Sequence, residues 1–366
     1  MNFYFLILLK IQFTFSSIIL DIFDYYGSPN INLILGNSTV LENFDLDMSI
    51  DYLWVSSMMY TNNSDYTIKL VEKNITLKPH TDASFLHLET NIKLPKTNIT
   101  LNDFPFYLTT DLFWLAYDSI PLAYKFQNES NSIIHTLSKK GIIKRKSITF
   151  IFPEEKSDNG TLIIGNSFNC FNQETLITSC KVNPNYTTWS CNLLQTQINK
   201  RVFQNTFHSI FQANIKAIMT PYYFMVEMNN SIFQQYYEEN ICKYKRNWNS
   251  ENIECECSQL KENQSISLIF DTCVFLFQNK ELFIEKENNK CYFIFEPNLI
   301  NNETWIIGIN FYKRYITDFD YEKGVISFYQ REQKINCNLY KTITIINLIL
   351  ISINIGIILI KKEKSE

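Results

Sequence analysis

The composition and charge of the chain exclude several classes of protein. Its 366 residues are 46% hydrophobic and only 19% charged, which excludes a disordered chain and leaves enough apolar side chain for a sizeable core. The net charge of −4 arises from 33 basic and 37 acidic side chains without a basic block, so no nucleic-acid partner is expected. Only 8 residues are glycine, which disfavours sites built on glycine-rich loops, and no cofactor is implied.

The N-terminus predicts a secretory signal peptide over residues 1–20. Apolar runs cover residues 3–9 and 11–20, and Ser16 and Ser17 offer a neighbourhood for cleavage. An N-terminal anchor and a buried strand are the alternative interpretations of the same runs. A signal peptide would direct the chain into the secretory pathway.

The body of the chain, residues 24–336, predicts a fold made mainly of β-strands. Short apolar runs of roughly 4–8 residues recur along it, rich in β-branched and aromatic side chains and bounded by Asn, Asp, Lys or Pro. Helical patterns are few. Residues 132–140, which Gly141 follows, and residues 231–239 each predict one short helix.

Cysteines and sequons both point to an oxidising compartment. All 9 cysteines lie at or beyond residue 170, and disulfides would pair most of them and leave one unpaired or intermolecular. Cys255 and Cys257 form a C-x-C pair, but without a second pair or a nearby histidine we predict no metal site. The N-glycosylation sequons along the body suit a glycosylated ectodomain. They begin at Asn37, Asn62, Asn74, Asn98, Asn128, Asn159, Asn185, Asn229, Asn263 and Asn302.

The C-terminus predicts a single transmembrane helix over residues 342–360. No charged side chain interrupts this stretch, and at about 1.5 Å per residue it spans about 28 Å, close to the hydrocarbon core of a bilayer. The lysines that follow make residues 361–366 a cytoplasmic tail, with the body lumenal or extracellular. A buried segment or a removed GPI signal is the alternative, although a GPI signal usually ends apolar. The expected membrane is the cell surface, the endolysosomal system or the ER.

Motifs along the body follow one another in an order that is typical of one family. Leu-Trp-Val stands at residues 53–55 after an opening group of strands, and TWIIGINFYKRYITDFDYEKGVISFY closes the body at residues 304–329. In order and spacing these motifs resemble the pepsin-like (A1) eukaryotic aspartic peptidases over most of residues 25–330. The resemblance implies an all-β, bilobal fold with two β-barrels, a few short helices and a cleft between the lobes. The implied lobes are residues 24–180 and 181–336.

The resemblance places the first catalytic position at Asp47. The family's motif runs Asp-Thr-Gly-Ser, two residues, then Leu-Trp-Val, so counting back from Leu53 gives Asp47. Met48 and Ser49 then stand where the family has Thr and Gly. Trp54 of the same motif is implied to support the cleft.

A second segment of the N-terminal half resembles the family's Asp-Gly-Ile-Leu-Gly-Leu-Ala-Tyr sequence. TDLFWLAYDSI, residues 110–120, keeps Leu115, Ala116 and Tyr117 but has Asp111 and Trp114 in place of both glycines. By this resemblance Tyr117 is the second cleft-supporting side chain.

The second catalytic position falls on Thr220. Residues 216–239 supply the apolar strand that enters this motif in the family and the helix that leaves it. The position of the second catalytic Asp is then Thr220, followed by Pro221 and Tyr222.

The resemblance also implies disulfides in the second lobe. Cys257, followed by Leu260 and an apolar strand, resembles the start of the family's disulfide there, with Cys291 as its partner. Cys242 with Cys255 is a plausible additional pair.

These substitutions predict a loss of catalysis. Aspartic peptidases activate water between two carboxyls that share one proton, and a threonine hydroxyl has no pKa in the working range. Five of the six Asp-Thr-Gly positions differ, and only Asp47 remains. We therefore expect a pseudopeptidase that binds a peptide or protein ligand in its cleft. An active aspartic endopeptidase and a structural or adhesive surface glycoprotein are the alternatives.

Overall fold

The computed structural model describes most of the body of the chain. The described ranges are residues 17–25, 28–36, 42–55, 69–75, 85–109, 118–152, 159–165, 176–246, 251–261, 264–286, 288–299, 301 and 303–331. Several predicted features lie outside them: the signal peptide up to residue 16, the transmembrane segment, the tail, Tyr117, and the sequons at Asn37, Asn62, Asn263 and Asn302. Within the described ranges, no helix is both long and apolar enough to cross a membrane.

Among its described residues, the first half of the body contains eleven strands and one α-helix. Its elements are β1 (Ser17–Tyr25), β2 (Ser28–Leu35), β3 (Glu42–Asp47), β4 (Trp54–Val55), β5 (Lys69–Ile75), β6 (Phe85–Lys93), β7 (Thr100–Thr109), β8 (Ser119–Pro121), α1 (Ile133–Lys139), β9 (Ser147–Ile151), β10 (Gly160–Gly165) and β11 (Leu176–Lys181). Helix α1 confirms the helix predicted over residues 132–140. Ser132 caps its N-terminus by accepting the His135 N–H at 3.3 Å, and Gly141 leaves it with φ +69°.

The second half holds the remaining strands and three short α-helices among its described residues. Its elements are β12 (Ser190–Ile198), β13 (Arg201–Phe211), β14 (Ile218–Thr220), α2 (Tyr222–Met228), α3 (Gln234–Glu238), β15 (Cys242–Arg246), β16 (Glu251–Glu256), β17 (Ser265–Phe270), β18 (Val274–Gln278), β19 (Phe283–Lys286), β20 (Lys290–Phe293), β21 (Phe295–Pro297), β22 (Thr304–Ile307), α4 (Ile309–Tyr312), β23 (Ile316–Asp320) and β24 (Val325–Tyr329). A π-helical turn at Asn229–Phe233 joins α2 to α3, so the helix predicted over residues 231–239 begins earlier than expected.

Six antiparallel strands form a central sheet to which both halves of the chain contribute. Their order is β11-β24-β23-β9-β10-β1. Strand β1 begins at Ser17, and Ile18 and Leu20 are buried against the sheet. Residues 17–20 therefore belong to the folded body, whereas the sequence assigned them to the signal peptide. The rest of the signal peptide predicted over residues 1–20, up to residue 16, lies outside the described residues and stays a prediction.

An ion-pair cluster fixes the middle of this sheet. Arg145 binds the carboxylates of Asp318 at 2.8 Å and Asp320 at 2.7 Å, and the Thr149 hydroxyl donates to Asp318 at 2.7 Å. Both aspartates are almost completely buried. Breaking such a pair would leave a buried charge uncompensated, so these two acids serve the structure of the sheet.

Each half of the chain adds its own barrel-like sheet system. In the first half the strands run β1-β2-β3-β8-β4-β7-β6-β5, and an additional pairing of β2 with β6 folds the sheet over. In the second half a seven-stranded sheet, β18-β17-β12-β13-β22-β14-β21, packs with a four-stranded sheet, β15-β16-β20-β19. The all-β, two-lobed fold with a few short helices is confirmed.

Three disulfides join described cysteines, two of them within the second half and one between the two halves. Cys242–Cys255 and Cys257–Cys291 are formed as the resemblance implied. A third bond joins Cys180 in β11 to Cys273 in the turn between β17 and β18, and so links the central sheet to the second lobe. Cys191 is a buried free thiol, while Cys170 and Cys337 lie outside the described residues.

Candidate functional site

Asp47 stands at the end of strand β3. This strand runs parallel to β8, with Asp47 opposite Pro121, and the Leu122 N–H donates to the Asp47 carbonyl at 2.8 Å. Strand β4 runs antiparallel to β8 on its other side, where Trp54 is opposite Ser119. The strand that carries Asp47 is therefore held by a neighbour that begins more than seventy residues later in the chain.

Thr220 stands at the equivalent end of β14 in the second lobe. This strand runs parallel to β21, with Thr220 opposite Pro297, and the Asn298 N–H donates to the Thr220 carbonyl at 2.7 Å. The pattern of a parallel partner, an opposing proline and one following N–H repeats that at Asp47. The two residues thus hold corresponding positions in the two lobes.

The Asp47 carboxylate is held by the second residue after it. Its Oδ1 accepts the Ser49 backbone N–H at 2.8 Å and the Ser49 hydroxyl at 2.5 Å. Asp47 is half-buried and Ser49 is exposed, so the pair lies at the surface of the lobe. These two hydrogen bonds close the loop after β3 and orient the carboxylate.

Thr220 presents a different chemistry. Its side chain is completely buried, and its hydroxyl donates to the carbonyl of Pro221 at 3.2 Å. Pro221 in turn precedes the first turn of α2 and accepts the N–H groups of Phe224 and Met225. A hydroxyl committed to the adjacent carbonyl can neither ionise nor hold a shared proton.

Met48 brings the loop after Asp47 into contact with helix α4, which lies near the end of the body. Its side chain is completely buried in the core, and the Tyr312 hydroxyl of α4 lies 3.9 Å from its sulfur. The resemblance implies a threonine hydroxyl at position 48 that would bond across to the other loop. Here the Tyr312 hydroxyl donates to the Met48 thioether sulfur instead, a weak acceptor.

The segment that follows β8 differs from the prediction. Strand β8 is Ser119–Pro121, and a second Leu-Ala-Tyr triplet, residues 122–124, comes directly after it. The triplet chosen from the sequence, at residues 115–117, precedes this strand, and Tyr117 lies outside the described residues. The Leu122 carbonyl accepts the Trp189 indole N–H at 2.8 Å, so the later triplet lies where the two lobes join.

Trp54 lies in a small aromatic cluster beneath the β6–β7 hairpin. Its ring packs edge-on against Phe85 at 5.8 Å, and Tyr52 packs against Tyr107 at 5.4 Å. The Trp54 side chain is only 9% exposed. It therefore supports the wall of the first lobe from within.

Asp45 is a residue of this site that the sequence reasoning missed. Phe44 and Leu46 point into the core, so alternation along β3 puts Asp45 on the same face as Asp47. Burial raises the pKa of Asp45 to about 6, the Asn30 hydrogen bond opposes this, and the charge of Asp47 adds to it. The alternation of apolar and acidic residues in Phe-Asp-Leu-Asp, residues 44–47, could have predicted this placement.

Two described acids of the second half, Glu296 and Asp271, do not supply a carboxyl beside Thr220. Glu296 pairs with Met219 in the parallel ladder, so it projects from the face opposite to that of Thr220. Asp271 is exposed in the turn before Cys273, and the neighbouring Thr272 hydroxyl donates to the Ser179 carbonyl at 2.9 Å. Among the described residues, no group of three His, Cys, Asp or Glu side chains could hold a metal ion.

Gly308 positions the strand that leads to Thr220. A Cβ at this position would lie 2.2 Å from the Ala217 carbonyl oxygen and 2.4 Å from that of Ile215. The N–H groups of Ile309 and Asn310 donate to the carbonyls of Ile215 and Lys216. The glycine of the closing motif is therefore required because two backbone segments meet there.

Solved structures with the same fold confirm the architecture. The crystal structure of basic 7S globulin from soybean matches with a TM-score of 0.65 at 11% identity, covering 86% of this chain and 97% of that chain. The crystal structure of EDGP matches with a TM-score of 0.66 at 12% identity, covering 87% and 96%. At these identities the likeness concerns the fold alone. No curated protein sequence matches the chain.

A family model identifies the class of protein directly. The model of the eukaryotic aspartyl protease family matches residues 106–331, more than half of the chain. The chain belongs to this family, as the motifs of the sequence indicated. The matched range includes Thr220 and the closing motif but begins after Asp47.

We predict that Gly308→Ala destabilises the protein by about 3 kcal/mol or more, because the new methyl group meets two backbone carbonyls that cannot rotate away. The measurement is the free energy of unfolding from denaturant titration. Gly141→Ala is the control. A Cβ there meets nothing within 4 Å, so only the strain of its positive φ remains, about 1–2 kcal/mol. Equal losses in the two variants would contradict the close approach at Gly308.

Proposed function

We propose that the chain is a catalytically impaired member of its family that binds a peptide or protein ligand in the cleft between its lobes. The observation that carries the proposal is the pair of matching strand ends, which holds one carboxylate, Asp47, and one buried hydroxyl, Thr220. Hydrolysis by this family's mechanism needs a base and an acid on the same water, and two carboxyls that share a proton supply both. A single carboxylate supplies the base alone.

The surroundings of Thr220 support binding over catalysis. Tyr222 and Tyr223 at the start of α2 are 49% and 41% exposed, and Leu299 is 54% exposed just after the Asn298 that bonds Thr220. The family has glycine at the position of Tyr222. The tyrosine therefore adds an aromatic side chain to a surface where a glycine would leave the backbone exposed. Exposed aromatic side chains beside a cleft are well suited to contact the side chains of a bound peptide.

The proposal places the body in the lumen of the secretory pathway or outside the cell. Three disulfides among the described cysteines support an oxidising compartment. A signal peptide that ends before Ser17, a helix over residues 342–360 and a cytoplasmic tail over residues 361–366 complete a type I membrane glycoprotein. The membrane involved is the cell surface, the endolysosomal system or the ER.

The first test of this function is an assay for proteolysis. We expect the purified full-length protein to release no peptides from denatured globin at about pH 3–5, because Thr220 at the second catalytic position has no carboxyl to donate the proton. Asp47→Asn should give the same peptide map by mass spectrometry. An active pepsin-like enzyme in parallel shows that the substrate is cleavable. Cleavage that disappears in Asp47→Asn would establish an active endopeptidase and overturn the proposal.

The second test is an assay for binding. Peptides selected from a random library against the full-length protein should bind Tyr222→Ala about tenfold more weakly than the wild type, measured by fluorescence anisotropy. Tyr244→Ala is the matched control, because Tyr244 is also exposed, at 43%, but lies on β15 away from Thr220. Equal affinities in the two variants would exclude the cleft as the peptide site. Failure to select any peptide would favour a structural or adhesive role.

The sequons give a test of the compartment. Asn98, Asn128, Asn159 and Asn185 are exposed, and we predict that each carries a glycan in the protein isolated from its native membrane. Asn229 is half-buried in the π-helical turn and accepts the Tyr237 hydroxyl at 3.2 Å, so it should be unmodified. Enzymatic deglycosylation with mass-spectrometric site mapping measures the occupancy. Absence of glycans at all four exposed sites would place the body outside the secretory lumen.

A further inference from the structure

A buried carboxyl lies behind the loop that carries Asp47. Asp45 is 6% exposed and stands in β3 between two neighbouring strands. It is opposite Asn30 of β2 on one side and Ser119 of β8 on the other, and its own N–H donates to the Asp118 carbonyl at 2.7 Å. The residue is thus enclosed by the three strands that hold the first catalytic position.

Polar support for this carboxyl is incomplete. The Asn30 side chain hydrogen-bonds to it, but Oδ1 is buried and has no hydrogen-bond partner among the described residues. A protonated carboxyl tolerates this environment far better than a carboxylate, because the cost of burial falls mainly on the charged form.

The titratable groups on the strands around Asp45 are acidic. Strand β3 contributes Glu42 and Asp47, and Asp118 directly precedes β8, whereas the sequences of β2 and β8 contain no titratable side chain. Glu42 and Asp118 are 3% and 4% exposed. The nearest lysine of a paired strand is Lys93 of β6, opposite Ile34 at the far end of β2. Of these acids Asp47 lies on the same face of β3 as Asp45, so an ionised Asp45 would stand beside a second negative charge.

We propose that Asp45 makes the first lobe sensitive to pH: its carboxyl is protonated in a mildly acidic compartment, where β2, β3 and β8 hold together firmly, and its ionisation near neutral pH loosens these three strands. The device is independent of the proposed ligand, because it requires only the folded lobe. It would couple the position of Asp47 to the acidity of the surrounding lumen.

The direction of the effect follows from linkage. The pKa of Asp45 is raised from 3.8 to about 6, first by burial, against the Asn30 hydrogen bond, and further by the Asp47 charge. A group with a raised pKa in the folded state contributes stability that is complete below the unfolded value. That stability is lost as the pH rises through about 6, and the loss stays constant above it. About two pKa units correspond to about a hundredfold in the opening equilibrium.

Hydrogen exchange of the full-length protein tests this device. We expect protection factors in residues 28–35 and 42–47, corrected for intrinsic exchange, to fall by up to about a hundredfold between about pH 4 and about pH 7. Asp45→Asn should abolish the fall, because asparagine reproduces the neutral carboxyl. Asp271→Asn, which removes an exposed carboxyl, should leave it unchanged. Peptides from β12 and β13 provide an internal reference.

Two neighbouring variants keep the proposal testable even where Asp45→Asn does not fold. Asp47→Asn removes the repelling charge and should move the midpoint of the transition to lower pH. Asn30→Ala removes the bond that stabilises the carboxylate and should move it to higher pH. A wild type with equal protection at both pH values, or midpoints that move in the same direction in both variants, would overturn the proposal. Neither readout involves proteolysis or peptide binding, so failure of this test leaves the proposed function unaffected.

Discussion

The parallel pairing of β3 with β8 and of β14 with β21 is the constraint on which the site depends. Each pair joins segments that are more than seventy residues apart. In each pair the residue at the strand end lies opposite a proline, and its carbonyl accepts the N–H of the residue after that proline. The backbone of this arrangement is the same in both lobes, although the side chains are not. Because main-chain hydrogen bonds do not depend on the side chain at the strand end, Thr220 can replace an acid without disturbing the fold.

Apolar packing replaces the polar interactions that the resemblance implies around the two loops. Met48 is completely buried against Tyr312, and Pro221 begins α2 where the family has a threonine. This buried contact contributes burial and dispersion together with one weak hydrogen bond, from the Tyr312 hydroxyl to the Met48 sulfur.

The sequence predicted the fold better than it predicted the site. Alternating apolar strands and the closing motif specify the sheets because they are local patterns, and the glycine of that motif, Gly308, lies where two backbones meet. The Leu-Ala-Tyr triplet occurs twice, at residues 115–117 and 122–124, and only the pairing of β8 with β3 decides between them. The bond between Cys180 and Cys273 depends equally on tertiary structure, since it joins the central sheet to a turn of the second lobe. Asp45 was within reach of the sequence, because Phe44 and Leu46 fix the face on which it lies.

The presence of Asp47 is not by itself evidence of hydrolysis, because this residue has a structural reason to remain. Its Oδ1 accepts both the N–H and the hydroxyl of Ser49, and these bonds close the loop that leads to the buried Met48. At the second position no such loop requires an acid, since the chain turns directly into α2 after Pro221 and the Thr220 hydroxyl bonds the proline carbonyl. The two strand ends are thus under different structural demands, and the acid stands at the end where a carboxylate also organises the backbone.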